Sequence, residues 1–112
     1  MKEVRAYIKT HKLGEVTMAL HHVEGFSGMT VVDARGCGRG HAHGRHETAE
    51  DAVDHASCVK IEVICADNLV DAIIEAIERH AHTGLRGDGK ICVFSVEQVI
   101  RISSGERGPT AV

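Results

Sequence analysis

Polar and apolar residues alternate at the start of the chain. Val4, Ala6 and Ile8 share one face, and this two-residue period predicts a strand over 2–9. Leu13, Val16, Leu20 and Val23 then recur at three- and four-residue spacing, which predicts a helix over about 12–24 that stops at Gly25 and Gly28. Met29 to Arg35, centred on Val31 and Val32, predicts a second strand. From Gly36 to about Ala56 neither period is sustained, and the stretch holds four glycines, four histidines and four acids. A structureless insert of that length inside a compact domain is usually functional or disordered. Alternation returns at Val59-Lys60-Ile61-Glu62-Val63 as a third strand. Asp67 then offers a helix N-cap, and Leu69, Val70, Ile73, Ile74, Ile77 and Ala81 form the apolar face of a second helix. Lys90 to Ile102 is a long β-rich run broken only by Glu97-Gln98, and the polar residues 103–112 predict a mobile tail.

The order is strand, helix, strand, long loop, strand, helix, strand. It predicts an α+β class, a ferredoxin-like β-α-β-β-α-β sandwich with both helices on one face of the sheet. A chain of 112 residues has room for a single domain, 1–112. Only Tyr7, Phe26 and Phe94 are aromatic, so the core must be aliphatic and lean, a condition that oligomerisation commonly relieves. The net charge of -3 and the scarcity of stacking side chains argue against nucleic acid as a partner. No apolar run approaches the roughly 18–20 residues of a membrane span. The charged start, MKEVRAYIK, lacks an apolar signal core, which points to a cytoplasmic protein. Cys37, Cys58, Cys65 and Cys92 never form a C-x-x-C pair and read as small hydrophobes rather than as a disulfide framework.

Three stretches carry candidate chemistry. In Thr83-Gly-Leu-Arg-Gly-Asp-Gly-Lys90, glycines at 84, 87 and 89 allow backbone N–H groups to converge on an anion, and Lys90 adds a point charge suited to phosphate. The same stretch also reads as a plain helix-to-strand connector capped by Gly84. It is not a Walker A loop, because Ile91 opens a strand where Ser or Thr and a helix would be needed. Asp88 suits either magnesium or the capping of a turn. Gly36-Cys-Gly-Arg-Gly40 resembles half of a dinucleotide fingerprint but opens no helix; Arg39 reaches a phosphate from it, or the stretch is a loop entrance. The third stretch, residues 38–46, reads GRGHAHGRH. His41, His43 and His46 are suitable donors for a transition metal, yet their spacing matches no specific zinc motif and a solvated loop explains them equally. No nucleophile elbow and no unique acid–base pair is present, so an enzyme is not expected.

Taken together, Lys2-Glu-Val-Arg-Ala-Tyr-Ile-Lys9, Gly36-Cys-Gly-Arg39, Val59-Lys-Ile-Glu62 and above all Thr83 through Ile102, TGLRGDGKICVFSVEQVIRI, resemble the PII signal-transduction family over nearly the whole chain. The resemblance implies a homotrimer of ferredoxin-like subunits that binds ATP or ADP between subunits. It also implies regulation of a protein partner, a membrane transporter or its regulator, through a T-loop at about 38–56. Carried onto this sequence, Gly87, Asp88, Gly89 and Lys90 belong to a phosphate-binding loop at about 83–90, with Arg101 as a second cation. Gly36, Cys37, Gly38 and Arg39 flank the nucleotide, and Thr30 and Ile64 line the adenine pocket. Relatives that sense 2-oxoglutarate have glutamine where this chain has Gly40 and lysine where it has Cys58, so the usual magnesium and keto-acid site lacks both groups. Ser103 replaces a second phosphate-contacting arginine, which shifts the expectation toward ADP or AMP. The T-loop contains no tyrosine, which excludes uridylylation, while its histidines suggest a metal-linked process.

Overall fold

The computed structural model describes residues 1–36 and 56–112. Its elements are β1 (Lys2–Lys9), α1 (Leu13–His21), β2 (Thr30–Gly36), β3 (Ala56–Cys65), α2 (Val70–Ala81) and β4 (Lys90–Ser95). The four strands form one antiparallel sheet in the order β2-β3-β1-β4, the α+β ferredoxin-like arrangement that the hydrophobic pattern predicts. Two short 3-10 turns, Thr10–Lys12 and Asp67–Leu69, lead into the helices, and a third, Pro109–Ala111, closes the chain.

Period-two alternation decides which residues meet the helices. Val4, Ala6 and Ile8 of β1 and Val59, Ile61, Val63 and Cys65 of β3 are buried beneath α1 and α2. The helices answer with Val16 and Leu20 from α1 and Ile73, Ile77 and Ala81 from α2. The core is aliphatic throughout; Phe26 only packs against its margin. Among the described residues no helix covers the opposite face of the sheet. Register places Glu3, Arg5, Tyr7 and Lys9 there, beside Cys58, Lys60, Glu62 and Ile64 of β3 and Lys90, Cys92 and Phe94 of β4. Charges on this open face pair laterally, Arg5 with Glu3 at 2.8 Å and Lys60 with Glu62 at 3.0 Å, while the Arg5 guanidinium lies 4.5 Å from the centre of the Phe94 ring.

The element boundaries depart from the predicted ones for identifiable reasons. The first helix ends at His21 rather than near 24, because Val23 and Phe26 enter successive turns bonded to Leu20 and Val23 carbonyls. Asp67 does not cap α2; its carboxylate instead pairs with the Met1 ammonium at 2.8 Å, and that contact holds its pKa below the ordinary carboxylate value. The long β run predicted to Ile102 stops at Ser95. Ser95 lies opposite Lys2, where β1 begins, and after one more bond, from the Val96 N–H to the Met1 carbonyl at 3.1 Å, the pairing with β1 runs out of strand. Ile102 is consequently 99% exposed. The tail, predicted to be mobile from its polarity, folds back: the Arg101 N–H donates to the Glu106 carbonyl at 2.9 Å, the Gly108 N–H to that of Val99 at 3.0 Å, and Ala111 is buried. Among the described cysteines Cys65 is the buried small hydrophobe expected, and burial pushes its thiol pKa up; Cys58 and Cys92 are half-buried on the open face.

Layer packing rather than helix propensity therefore stabilises the subunit. Ile77→Ala is expected to destabilise it by about 2–5 kcal/mol in urea unfolding, because α2 cannot collapse onto the strands to fill the gap. Met18→Ala, on the exposed side of α1, is expected to change stability by less than about 0.5 kcal/mol.

Candidate anion-binding cleft

The glycine-rich connector from α2 to β4 is shaped by one side chain. The Asp88 carboxylate accepts the Thr83 N–H at 2.9 Å, the Gly84 N–H at 3.1 Å and the Thr83 hydroxyl. Lys9, the last residue of β1, brings its ammonium to 3.2 Å from Asp88 Oδ1 and donates to Thr83 Oγ1 at 3.0 Å. His82 Nδ1 lies 3.4 Å from the other carboxylate oxygen. These donors, the Thr83 hydroxyl foremost, hold the Asp88 pKa far below the usual carboxylate range. Asp88 thus builds the loop from within, and of its two sequence roles the turn cap is the one the geometry displays.

The loop approaches the sheet as closely as a backbone can. Gly89 has φ +99°, and a Cβ placed on it would lie 1.6 Å from the Tyr7 carbonyl oxygen. No side chain fits, and the conformation disfavours one in any case. This contact sets Lys90 opposite Tyr7 at the mouth of a cleft of about 800 Å³. The cleft runs across the end of the open face. Arg35 and Gly36 come to it from β2, Cys58 from β3, Lys9 from β1, and Arg86, Gly87, Gly89 and Lys90 from the loop and β4. Among the described residues its lining includes four of basic type, Lys9, Arg35, Arg86 and Lys90, and no Asp or Glu, in a chain whose overall charge is negative. Such focused positive charge beside glycine backbone attracts a multiply charged anion. Lys9, Arg35 and Arg86 belong to this lining and were not among the site residues nominated from the sequence, although Arg86 lies within the glycine-rich stretch itself. Only the sheet register shows that the ends of β1 and β2 reach the loop.

The sequence-nominated residues do not gather at one place within a subunit. Gly36, Gly87, Gly89 and Lys90 line the cleft, and Asp88 lies behind it. Thr30 and Ile64 line a separate hollow of about 380 Å³ with Ser27, Glu62, Val99 and Val112. Arg101 stands beside that hollow, its guanidinium donating to the Val112 carbonyl at 3.5 Å. Thr30 and Gly36 terminate β2, six residues apart, so the two places are separated by roughly 20 Å along the sheet. Cys37, Gly38 and Arg39, and the candidate metal donors His41, His43 and His46, lie outside the described residues. Among the described residues no group of His, Cys, Asp or Glu side chains is arranged to hold a metal ion.

Two measurements check this geometry. Gly89→Ala is expected to cost about 2 kcal/mol or more in thermal unfolding, from clash added to strain. Gly105→Ala, with φ +73° but open space, is expected to cost about 1 kcal/mol, from strain alone. Because the folded pKa of Asp88 is depressed, its contribution to stability is present above the unfolded carboxylate value of about 4 and is lost as pH falls through the folded value. Asp88→Asn should therefore lower the melting temperature at pH 6, and its difference from the parent protein should shrink as the pH is brought toward 2.

The chain's sequence compares closely with known proteins. A family model described as Nitrogen regulatory protein P-II matches residues 1–106. A Nitrogen regulatory protein P-II of Azospirillum brasilense is 50% identical over 113 aligned residues, covering all of both chains. Proteins of the same name from Rhizobium meliloti and Rhodospirillum rubrum are 49% and 48% identical over the same length, again with complete coverage. The chain, with its ferredoxin-like fold and its glycine loop bound to the end of β1, belongs to the nitrogen regulatory protein P-II family.

Proposed function

We propose that this protein is a regulator that binds an adenine nucleotide, ATP, ADP or AMP, between the subunits of a homotrimer and thereby controls a protein partner. Membership of the P-II family makes it a signal-transducing regulator rather than an enzyme. The finer reading is carried by one observation: a cleft whose described lining includes Lys9, Arg35, Arg86 and Lys90 and no Asp or Glu, beside the loop of Gly87 and Gly89. Phosphate is the anion such a site fits best. Glycine N–H groups supply directional donors, arginine binds planar or forked, and lysine adds a mobile charge.

The second hollow supports the subunit-bridging part. Thr30 and Ile64 offer a threonine hydroxyl and an apolar wall for a base, and Arg101 stands nearby, roughly 20 Å along the sheet from Lys90. One nucleotide cannot use both ends of the same subunit. It can use the cleft of one and the hollow of the next if copies pack around their open sheet faces, where Val32, Phe94 and Ile100 are partly exposed. On this reading a homotrimer completes each site.

The segment between β2 and β3 is the partner-contacting element on this reading. It leaves the sheet at Gly36, on the rim of the cleft, so a phosphate held by Lys90 lies next to its base. A ligand there changes the affinity for a partner only if it favours one arrangement of that segment over another. The names of the relatives point to nitrogen regulation, and a transporter or its regulator in the cytoplasm is the partner class we favour. No helix among the described residues is long and apolar enough to cross a membrane.

Calorimetry with ATP, ADP and AMP tests the proposal. The parent protein is expected to bind at least one of them, with a stoichiometry of one per subunit. Lys90→Ala is expected to weaken that binding by about tenfold or more, since it removes a charge-assisted contact. Absence of heat with all three nucleotides overturns the nucleotide reading.

A further inference from the structure

The four cations of the cleft are not equivalent. Arg35, Arg86 and Lys90 form no ion pair with any described residue, whereas the Lys9 ammonium is already engaged, 3.2 Å from Asp88 and 3.0 Å from Thr83. We propose that Lys9 is the positioning residue of the cleft: it binds the phosphate loop to the end of β1 through Asp88, while Arg86 is a direct anion contact. The assignment of an anion to the cleft rests on the nucleotide reading above; the positioning role of Lys9 does not.

The loop's topology gives Lys9 this role. Residues 83 and 88 are drawn together by Asp88, which gathers the Thr83 and Gly84 N–H groups. That ring would be free to tilt about the backbone contact of Gly89 with Tyr7 if nothing else tied it down. Lys9 supplies the second tie, 74 positions earlier in the chain and on the strand immediately beside β4. Two attachment points fix the direction in which the Gly87 and Gly89 N–H groups face. Lys9 also neutralises a carboxylate that would otherwise stand unpaired beside an anion site and repel its ligand. Both effects act through Asp88 and the Thr83 hydroxyl bonded to it. Arg86 differs: it sits on the loop between exposed Leu85 and Gly87, lines the cleft, and takes part in none of the bonds that shape the loop.

The two roles are separated by measuring amide exchange and ADP affinity on the full-length protein. Lys9→Gln is expected to speed hydrogen exchange at the Thr83 and Gly84 amides, leave the β1–β3 ladder protected, and weaken ADP by about tenfold. Lys9→Arg is expected to restore most of both. Arg86→Gln is expected to weaken ADP to a similar extent with exchange at Thr83 and Gly84 unchanged. In an Asp88→Asn background, Lys9→Gln should have little further effect, because its partner has lost its charge. Unchanged exchange at Thr83 and Gly84 in Lys9→Gln, or full additivity with Asp88→Asn, overturns the positioning role. Should the parent protein bind no ADP, the nucleotide reading and the Arg86 assignment fail, and the exchange measurements alone judge Lys9.

Discussion

The Asp88 carboxylate is the constraint on which the functional end of the molecule depends. A loop with three glycines has many conformations and a large entropy to lose, so something must select one. Here the selection is made by hydrogen bonds from Thr83 and Gly84 and by the Lys9 ammonium, all converging on one charged group. The acid is thereby occupied within the loop, while Gly87, Gly89 and Lys90 line the cleft.

This loop works because it is braced against a rigid layer. The helices bury Val4, Ala6 and Ile8 of β1 completely or nearly so, which holds the strand that carries Tyr7 and Lys9 on its other face. The alternation that builds the core therefore also aims the residues of the cleft. A shift of one residue in β1 would exchange the two sets and destroy both. The open face itself is rich in paired charges and edged by apolar residues.

Much of this was legible in the chain itself. The two periods located all six main elements, because burial on one face of a strand or helix leaves a repeating trace in sequence. Glycines 84, 87 and 89 marked the connector from α2 to β4, and the wider resemblance supplied the family. Less legible were the ends of elements and the partners of single side chains. Asp67 had the chemistry of a helix cap but was taken by the Met1 ammonium. Polarity suggested a loose tail, yet backbone hydrogen bonds and the burial of Ala111 fasten it. Neither contact leaves a local pattern, since both join residues far apart along the chain or depend on backbone geometry.

The cleft shows the division most clearly. Sequence by itself determined the fold class, the aliphatic core and the glycine-rich connector from α2 to β4, for these follow from local periodicity and from glycines at close spacing. Only the tertiary structure decided that Lys9 and Arg35 share a cleft with that loop, and that Thr30, Ile64 and Arg101 stand at the other end of the sheet. The physical reason is strand register. Antiparallel pairing brings the end of β1 beside the start of β4 and the start of β3, whatever their separation in sequence, and it keeps the two ends of each strand about 20 Å apart.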